Sequence, residues 1–488
     1  MTMLTNEGAV QHEHTLDHFV EYYFKAGSIF DTDKRSSFYG NEESALSLFQ
    51  KIWIIDKELS FKLLLWLRDC RGGAGNRSAF RTCLNWVAQN NPEWVIENIS
   101  SIPEVGRWDD LTVLFNTPVS KTASALWADA LKNNNVLAAK WCKREYIPVR
   151  KALELKNEAE FRKLLSSIRS SHIVETKMTN KKYFDIAYPT VPSVAMSRYT
   201  NAFKKHDEIR FTEFKEKVKT GEVKINTSVL FPHDCVRTAL NGDAEIADLQ
   251  FDNLPNYFNG TNERIIVLAD SSGSMSCKVS GSIEAIDISK GLALYCSDKI
   301  GKDNPFYRKF ITFESESEFK NWNGMKFSEA VNSYELFDGV CGSGSTRIDK
   351  ALNLILNTGN YFNLTKDQMP TALVIVSDMQ FSDGATTEED RNRFSLSYSI
   401  SRFQKNTEKV TPVKQCLEAW TKNGYNVPKI IYWNTSGYAG APDTANSENV
   451  ALISGFAPAI LTSIFSGEDL SPRAVLYKSL EKYEVNVP

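Results

Sequence analysis

The chain has 488 residues, of which 42% are hydrophobic and 24% charged, and its formal net charge is −3. This length is too great for one compact core, so two or three domains are expected in an ordinary globular protein. No run of about 18 apolar residues occurs, and the acidic N-terminus lacks the basic and apolar parts of a signal peptide, so no membrane span or leader is expected.

The eight cysteines are scattered and form no CxxC pair. This pattern argues against a zinc site and favours a reducing compartment, with the thiols acting as small buried apolar groups. We therefore expect a cytoplasmic protein, associated with the virion if a virus encodes it.

Charge is distributed unevenly along the chain. Residues 1–50 carry a net charge of −5, residues 51–219 carry +10 and residues 220–488 carry −8. A basic middle block between acidic flanks favours a polyanionic partner. The alternative is a set of solvated helix faces without a partner.

Residues 15–225 show apolar residues at three-to-four spacing, as in SALSLFQKIWIID and LSFKLLLWLRDC, separated by short breaks rich in Gly, Asn, Pro and Ser. Such a pattern predicts successive helices packed in antiparallel pairs, as in a helical repeat. A polar stretch at 252–263, DNLPNYFNGTNE, is typical of a domain linker. We therefore predict an all-α helical module over residues 1–255.

Beyond the linker, β-rich apolar runs alternate with helical stretches. This alternation predicts an α/β domain over residues 256–488, Rossmann-like, with a mostly parallel sheet covered by helices on both faces. The predicted strands are 265–270, 306–313, 372–378, 429–434 and 450–456. The predicted helices are 282–300, 346–358, 386–405, 411–424 and 457–466.

The stretch RIIVLADSSGSM at 264–275 joins a buried strand to a polar loop. The spacing D-x-S-x-S puts the oxygens of Asp270, Ser272 and Ser274 on one tight loop, where Gly273 allows a sharp turn. These are hard ligands suited to Mg²⁺ or Mn²⁺. Ligands bind at the carboxyl ends of parallel strands, so further donors are expected at that side of the sheet. The candidates are Thr346, in a Gly/Ser loop before a helix, and Asp378, at the end of the strand ALVIVSD.

The set Asp270, Ser272, Ser274, Thr346 and Asp378 resembles the metal-ion-dependent adhesion site of von Willebrand factor A domains. The resemblance implies that the hydroxyls bind the ion directly or through water and that Asp378 acts through water. It also implies one open position for a carboxylate or other anion of a partner. No general base and nucleophile accompany the motif and no G-x-x-x-x-G-K-[ST] loop occurs, so we expect neither an enzyme nor an ATP-binding protein.

Several segments of the helical half, together with the C-terminal A domain, resemble the Ro autoantigen family, whose TROVE module is a ring of HEAT-like hairpins. They include WLRDCRGGAGNRSAFR (66–81), VGRWDDLTVLF (105–115), LAAKWCKREY (137–146) and the basic, aromatic stretch 177–211. The likeness is to an uncharacterised branch found in plants, large DNA viruses and bacteriophages. Ro proteins bind RNA, so the resemblance implies an RNA-binding scaffold, a ribonucleoprotein component.

Basic residues of the middle block are candidates for contacts with RNA phosphates. They are Arg68, Arg71, Arg77, Arg81, Lys140, Lys143, Arg144, Lys181, Lys182, Arg198, Lys204, Lys205 and Arg210. Tyr183, Phe184, Tyr188 and Tyr199 lie among the last of them and could stack on unpaired bases. The alternatives are ion pairs at helix ends, such as Arg68 with Asp69, and aromatic side chains that belong to the core.

The leading hypothesis is thus a non-enzymatic RNA-binding scaffold with a Mg²⁺-dependent ligand site in its A domain. One alternative is a structural or assembly protein, encoded by a virus or phage, that docks a protein carboxylate at the metal site without binding RNA. Another is a Mg²⁺-dependent enzyme or a subunit of an ATP-driven machine.

Overall fold

The computed structural model describes residues 2–5, 9–29, 44–169, 173–241, 243–258, 261–280, 283–337, 346–382, 411–437, 440–465 and 470–488. The chain divides into two compact units. The α/β unit contains residues up to 29 together with 256–478, and the helical unit contains the residues from 44 to 255 together with 479–488. The predicted helix at 386–405 and Cys341 lie outside the described residues.

The described part of the helical unit is a succession of short and medium helices, most of which pack against the next one or two along the chain. After α1 (His18–Lys25), which belongs to the α/β unit, they are α2 (Ala45–Ile55), α3 (Lys57–Arg68), α4 (Arg77–Asn90), α5 (Pro92–Glu97), α6 (Ser101–Val105), α7 (Ser120–Lys132), α8 (Val136–Trp141), α9 (Ile147–Ala152), α10 (Glu158–Arg169), α11 (Val174–Thr179), α12 (Ser193–His206), α13 (Glu208–Lys219), α14 (Pro232–Leu240) and α15 (Ala244–Asp252).

Short polar side chains set the breaks between these helices. Asp56 follows α2 in an extended conformation, and its carboxylate accepts a hydrogen bond from the Leu59 amide at 2.9 Å, which caps α3. Asn76 caps α4 in the same way, through the Ala79 amide at 3.1 Å. These caps satisfy amides that a helix start leaves without partners, and between α2 and α3 the single residue Asp56 is enough to turn the chain.

Large aromatic side chains fill the core of the helical unit. Trp53 packs edge-on against Trp86 and Trp94, with ring centroids 6.2 and 5.6 Å apart. A second cluster surrounds Tyr188, whose ring contacts Phe203 at 5.3 Å. Burial of such rings is the main source of stability for a helical module with short elements.

The α/β unit is built on one six-stranded sheet in the order β10–β9–β8–β3–β6–β7. All neighbours are parallel except β7, which pairs antiparallel with β6 at the edge. Its strands are β3 (Ile265–Asp270), β6 (Lys309–Phe313), β7 (Ser317–Asn321), β8 (Ala372–Ser377), β9 (Lys429–Asn434) and β10 (Val450–Ser454). Two small ribbons lie outside this sheet, formed by β1 (Thr2–Leu4) with β2 (Val10–His12) and by β4 (Lys278–Ser280) with β5 (Ile283–Glu284).

Every residue of β3 and β8 is buried, as expected for central strands covered on both faces. The helices of this unit that follow the linker are α16 (Ala285–Lys299), α17 (Phe327–Val331), α18 (Tyr334–Phe337), α19 (Ile348–Tyr361), α20 (Pro412–Lys422), α21 (Ile460–Phe465) and α22 (Pro472–Leu480), of which the last extends to the start of the C-terminal segment. The predicted fold class is therefore confirmed: a helical module precedes an α/β domain with a mostly parallel sheet.

The limits of the two units differ from the predicted domain limits at both ends of the chain. The first 29 residues belong to the α/β unit, because α1 packs on the edge strand β10. There the Ser454 hydroxyl donates to the Tyr23 carbonyl at 2.6 Å, and Gly27 lies so close that a Cβ would sit 2.5 Å from the Ser454 hydroxyl oxygen. Covering the edge strand removes an open row of backbone groups.

The last ten residues, 479–488, belong to the helical unit. No helix among the described residues is long and apolar enough to cross a membrane. Cys83, Cys142, Cys235, Cys296 and Cys416 are buried, as predicted, whereas Cys70 and Cys277 are partly exposed.

Candidate metal site and basic surfaces

Asp270 lies at the carboxyl end of the central strand β3, and its side chain is fully buried. Its backbone pairs with Phe313 of β6, and on the other side Ala269 pairs with Val376 of β8. The ends of three adjacent parallel strands therefore meet around the Asp270 carboxylate, as the sequence pattern predicted for this edge.

The loop after Asp270 folds back on the carboxylate. The Ser272 amide donates to Asp270 Oδ1 at 2.9 Å, and the hydroxyl oxygens of Ser272 and Ser274 lie 3.2 Å apart. A single 3₁₀ turn, Gly273–Ser276, follows and buries Met275. Carboxylate and hydroxyl oxygens thus converge on one point of the sheet edge.

Thr346 and Asp378 approach the same edge. The amide of Arg347 donates to the carbonyl of Glu314, directly after β6, and the Thr346 carbonyl accepts from the Ser382 amide at 2.8 Å. Both side chains are buried, Thr346 completely. Asp378 follows β8, where its Oδ1 accepts from the Gln380 amide at 3.2 Å. Asp270 and Asp378 therefore stand at the ends of neighbouring parallel strands, Ser272 and Ser274 lie on the loop after Asp270, and Thr346 lies in the loop before α19.

Two further hydroxyl groups hold Asp270, and the sequence pattern did not single them out. The Ser377 hydroxyl donates to Asp270 Oδ2 and accepts from the Met379 amide at 3.0 Å. The Ser289 hydroxyl, on α16, donates to the Asp270 carbonyl at 3.0 Å. The sequence held one signal for Ser377: it is a polar residue in an otherwise apolar predicted strand, directly before Asp378.

The electrostatics of this edge favour a bound cation. Burial, and then the neighbouring charge of Asp378, raises the pKa of the Asp270 carboxyl well above its usual range. Two buried carboxylates close together are costly without a positive charge between them. The described residues contain no group of three or more His, Cys, Asp or Glu side chains that could hold a metal, so serine and threonine hydroxyls would have to complete the ligand set. That donor set fits a hard divalent ion.

The first group of basic candidates divides into buried and exposed arginines. Arg68 is buried and pairs with Asp110 at 2.7 Å rather than with Asp69, and Arg81 pairs with Asp109 and Asp110. Arg71 and Arg77 are exposed. Buried pairs of this kind organise the fold, so Arg68 is a structural residue and not a surface contact.

In the second group, charge is largely neutralised by acidic neighbours. Lys140 pairs with Glu175 at 3.3 Å, and Arg144 with Glu145 at 3.1 Å. Lys143 is exposed and forms no ion pair with any other described residue.

The third group forms a surface in which aromatic and basic side chains alternate. The rings of Tyr183 and His206 are stacked with centroids 4.7 Å apart, and Phe184 beside them is 70% exposed. Arg210 supports this segment by donating to the carbonyl of Ile186 at 2.8 Å and pairing with Asp207 at 2.8 Å. We call Tyr183, Phe184 and His206 the aromatic platform.

The segments that carry the aromatic platform also carry exposed positive charges. Lys181, Lys182, Arg198 and Lys205 are exposed and have no ion-pair partner in the described part of the chain, whereas Lys204 pairs with Asp243 at 3.6 Å. Two aromatic candidates lie elsewhere: Tyr188 is a core residue, 3% exposed, and Tyr199 packs against that core. The alternative interpretation of these two side chains as core was therefore correct.

Two family models match separate parts of the chain. Residues 264–484 match the model of a domain of unknown function, DUF7788, and residues 123–266 match that of another, DUF2828. An uncharacterized protein of Acanthamoeba polyphaga mimivirus is 25% identical over 502 residues, covering 90% of this chain and 82% of the relative.

Among solved structures, the crystal structure of the Deinococcus radiodurans Ro (RSR) protein aligns over 96% of this chain and 100% of its own, with 11% identity and a TM-score of 0.46. By its own fold, the chain is a two-unit protein in which a helical module precedes an α/β domain with a polar, carboxylate-containing sheet edge.

Proposed function

We propose that the protein is a non-enzymatic RNA-binding scaffold that holds unpaired bases on the aromatic platform. The observation that carries the proposal is the exposed ring of Phe184 next to the stacked pair of Tyr183 and His206, in segments that also carry exposed lysine and arginine side chains. Aromatic faces accept any base by stacking, and unpaired cations attract the phosphates between bases. The Ro-like segments of the sequence imply the same ligand.

The first experiment is to purify the chain in Mg²⁺ without nuclease and to measure its absorbance ratio at 260 and 280 nm. A high ratio, followed by sequencing of a defined set of RNAs, supports the proposal and identifies the cargo. A protein spectrum free of nucleic acid, together with capture of a protein in the presence of Mg²⁺ only, would instead support an assembly protein.

A matched pair of variants tests the aromatic platform itself. Phe184→Ala removes a stacking ring and is expected to weaken binding of a single-stranded RNA by about 1–3 kcal/mol in a fluorescence anisotropy titration. Phe362→Ala is the control, because Phe362 is 65% exposed and belongs to the α/β unit. Equal affinities of the two variants would refute the role of the platform.

We further propose that the sheet edge of the α/β unit binds Mg²⁺ or Mn²⁺. The ion would be held by Asp270, Ser272, Ser274, Thr346 and Asp378, and when bound it supplies an electrophilic position for a carboxylate of a partner protein. The support for this proposal is the convergence of hydroxyl and carboxylate oxygens at one buried edge, where the charges of two carboxylates oppose each other.

Thermal unfolding tests the metal site. Mg²⁺ is expected to raise the Tm of the wild-type chain, because it binds only the folded state, and Asp270→Asn is expected to abolish that rise. Asp367→Asn is the control, since Asp367 is exposed and forms no ion pair within the described residues. A Tm that does not respond to Mg²⁺ in the wild type would rule the site out.

A further inference from the structure

A cluster of four arginines and two aspartates occupies one region of the helical unit. Arg77 and Arg81 lie in the first turns of α4, Arg68 ends α3, and Arg107 precedes the turn that carries Asp109 and Asp110. The cluster thus contains four guanidinium groups and two carboxylates, which leaves an excess of positive charge.

Both carboxylates of this cluster are already used by the two inner arginines. Arg68 binds Asp110 Oδ2 at 2.7 Å, while Arg81 binds Asp110 Oδ1 at 2.7 Å and Asp109 Oδ2 at 2.9 Å. Asp110 Oδ2 also accepts from the backbone amide of Arg107 at 2.9 Å. The ion pairs of Arg68 and Arg81 therefore hold in place the segments that carry Arg77 and Arg107.

Arg77 and Arg107 have exposed side chains, and neither forms an ion pair with a described residue. The Arg107 guanidinium lies over the half-buried ring of Trp141, 4.9 Å from its centroid. Partial burial, and then the charges of Arg107 and Arg81, lowers the pKa of Arg77, although Asp109 and Asp110 act in the opposite direction. Like charges held close together without an anion destabilise each other, and a cation in the first turn of a helix adds to the cost.

We propose that Arg77 and Arg107, with the face of Trp141 fixing Arg107, form a binding site for a phosphate group. Two guanidinium groups with free donors match the charge and the forked hydrogen-bond geometry of a phosphate. Arg68 and Arg81 are positioning residues, because each donates from its Nε to the Asp110 carboxylate. The site does not depend on the proposed RNA binding, since its ligand is the phosphate itself, carried either by a phosphomonoester or by a nucleic-acid backbone.

Calorimetric titration of the full chain with inorganic phosphate at constant ionic strength tests this site. Arg77→Gln and Arg107→Gln are each expected to weaken phosphate binding on the order of tenfold or more. Arg162→Gln on α10 is the control: it removes the same charge from an exposed arginine that has no ion pair among the described residues, and it should leave binding unchanged. Phosphate binding no tighter than chloride binding, or equal losses in all three variants, would overturn the proposal.

A second readout separates a ligand site from a structural role. In phosphate-free buffer Arg77→Gln should unfold at the same temperature as the wild type or at a higher one, because the substitution relieves repulsion. A lower unfolding temperature would identify Arg77 as structural and overturn the proposal.

Competition identifies the source of the phosphate. Displacement of inorganic phosphate by a nucleoside 5′-monophosphate alone supports a small-molecule ligand, and displacement by an oligonucleotide without terminal phosphate supports a nucleic-acid backbone. Failure of both competitors would contradict the site.

Discussion

At the scale of single residues, the Asp270 carboxyl is held by neighbours that leave its charge uncompensated. Ser377 donates to one of its oxygens and the Ser272 amide to the other. These hydrogen bonds favour the ionised form, but burial and the charge of Asp378 outweigh them. A bound divalent cation would reverse that balance, and the hydroxyls that hold Asp270 would then orient a metal ligand.

Ser377→Ala is therefore expected to weaken Mg²⁺ binding by about 10–100-fold, as for other partners that orient a metal-binding carboxylate. The variant should remain folded, because only one small hydroxyl is lost. The measurement is the Mg²⁺ concentration that gives half of the maximal Tm shift. Ser124→Ala is the control: this buried hydroxyl belongs to the helical unit and donates to the Ser120 carbonyl at 2.7 Å. An unchanged Mg²⁺ midpoint in Ser377→Ala would contradict the orienting role.

The adjacent residues Asp109 and Asp110 should differ in their contributions to stability. Asp110→Ala leaves the buried Arg68 without a partner, and we expect a loss of about 3–5 kcal/mol in the free energy of unfolding. Asp109→Ala removes one of the two carboxylates that bind Arg81, whose side chain is 26% exposed and keeps its contact with Asp110, so a loss of at most about 1 kcal/mol is expected.

Urea denaturation of the two variants measures both losses. Similar losses of unfolding free energy in the two variants would show that the buried Arg68–Asp110 ion pair does not make the expected contribution to stability.

At the scale of elements, the C-terminal segment 479–488 is fixed to the helical unit by polar contacts with two loop residues. Asp69, at the end of α3, accepts hydrogen bonds from Lys482 at 2.7 Å and from the Tyr483 hydroxyl at 2.8 Å. Asn98 exchanges two hydrogen bonds with the backbone of Asn486, at 2.7 and 2.8 Å. Such contacts determine which unit a chain end joins. In the sequence, neither Asp69 nor Asn98 indicates that it will bind the C-terminal segment.

The contact of Asp69 with Lys482 predicts a pH dependence of stability. Burial alone would raise the pKa of the Asp69 carboxyl, but Lys482 and the hydrogen bonds from Lys482, the Arg71 amide and Tyr483 outweigh it and lower the pKa. A lowered pKa contributes stability above the unfolded value of about 4, and that stability is lost as the pH falls through the folded value.

Lys482→Met should therefore be less stable than the wild type at pH 6, and the difference should shrink as the pH falls towards about 2. Urea denaturation across that range measures it. A difference of the same size at both ends of the range would show that the ionised Asp69 is not the partner that matters.

At the scale of the whole molecule, two units with separate cores carry two kinds of surface. The proposed Mg²⁺ site lies in the α/β unit, and the aromatic platform and the arginine cluster lie in the helical unit. Hydrogen exchange of the full chain, followed by mass spectrometry, should show Mg²⁺-dependent protection in peptides covering 265–276 and 372–382. Single-stranded RNA should instead protect peptides within 177–210. Protection of the first two segments by RNA in the absence of Mg²⁺ would contradict this division.

The sequence alone determined the order of the two parts and most strands of the sheet. The runs at 265–270 and 429–434 became strands with those limits, because fully buried parallel strands need continuous apolar residues. The polar residues at the ends of β3 and β8 were also visible, since each ends an apolar run, and their role as metal ligands stays a prediction. The edge strand β7 and the small ribbons were missed, because exposed strands such as Ser317–Asn321 lack that apolar signal.

Only the tertiary structure decided which charges remain available. Arg68 and Arg77 look equivalent in the sequence, yet one is buried against Asp110, which lies 42 positions further along the chain, and the other is exposed. The assignment of both chain ends and the partnership of Ser377 with Asp270 were likewise decided by the fold. The physical reason is the same in each case: local pattern fixes the periodicity and the caps of an element, whereas ion pairs and hydrogen bonds between distant residues form only when the packed core brings them together.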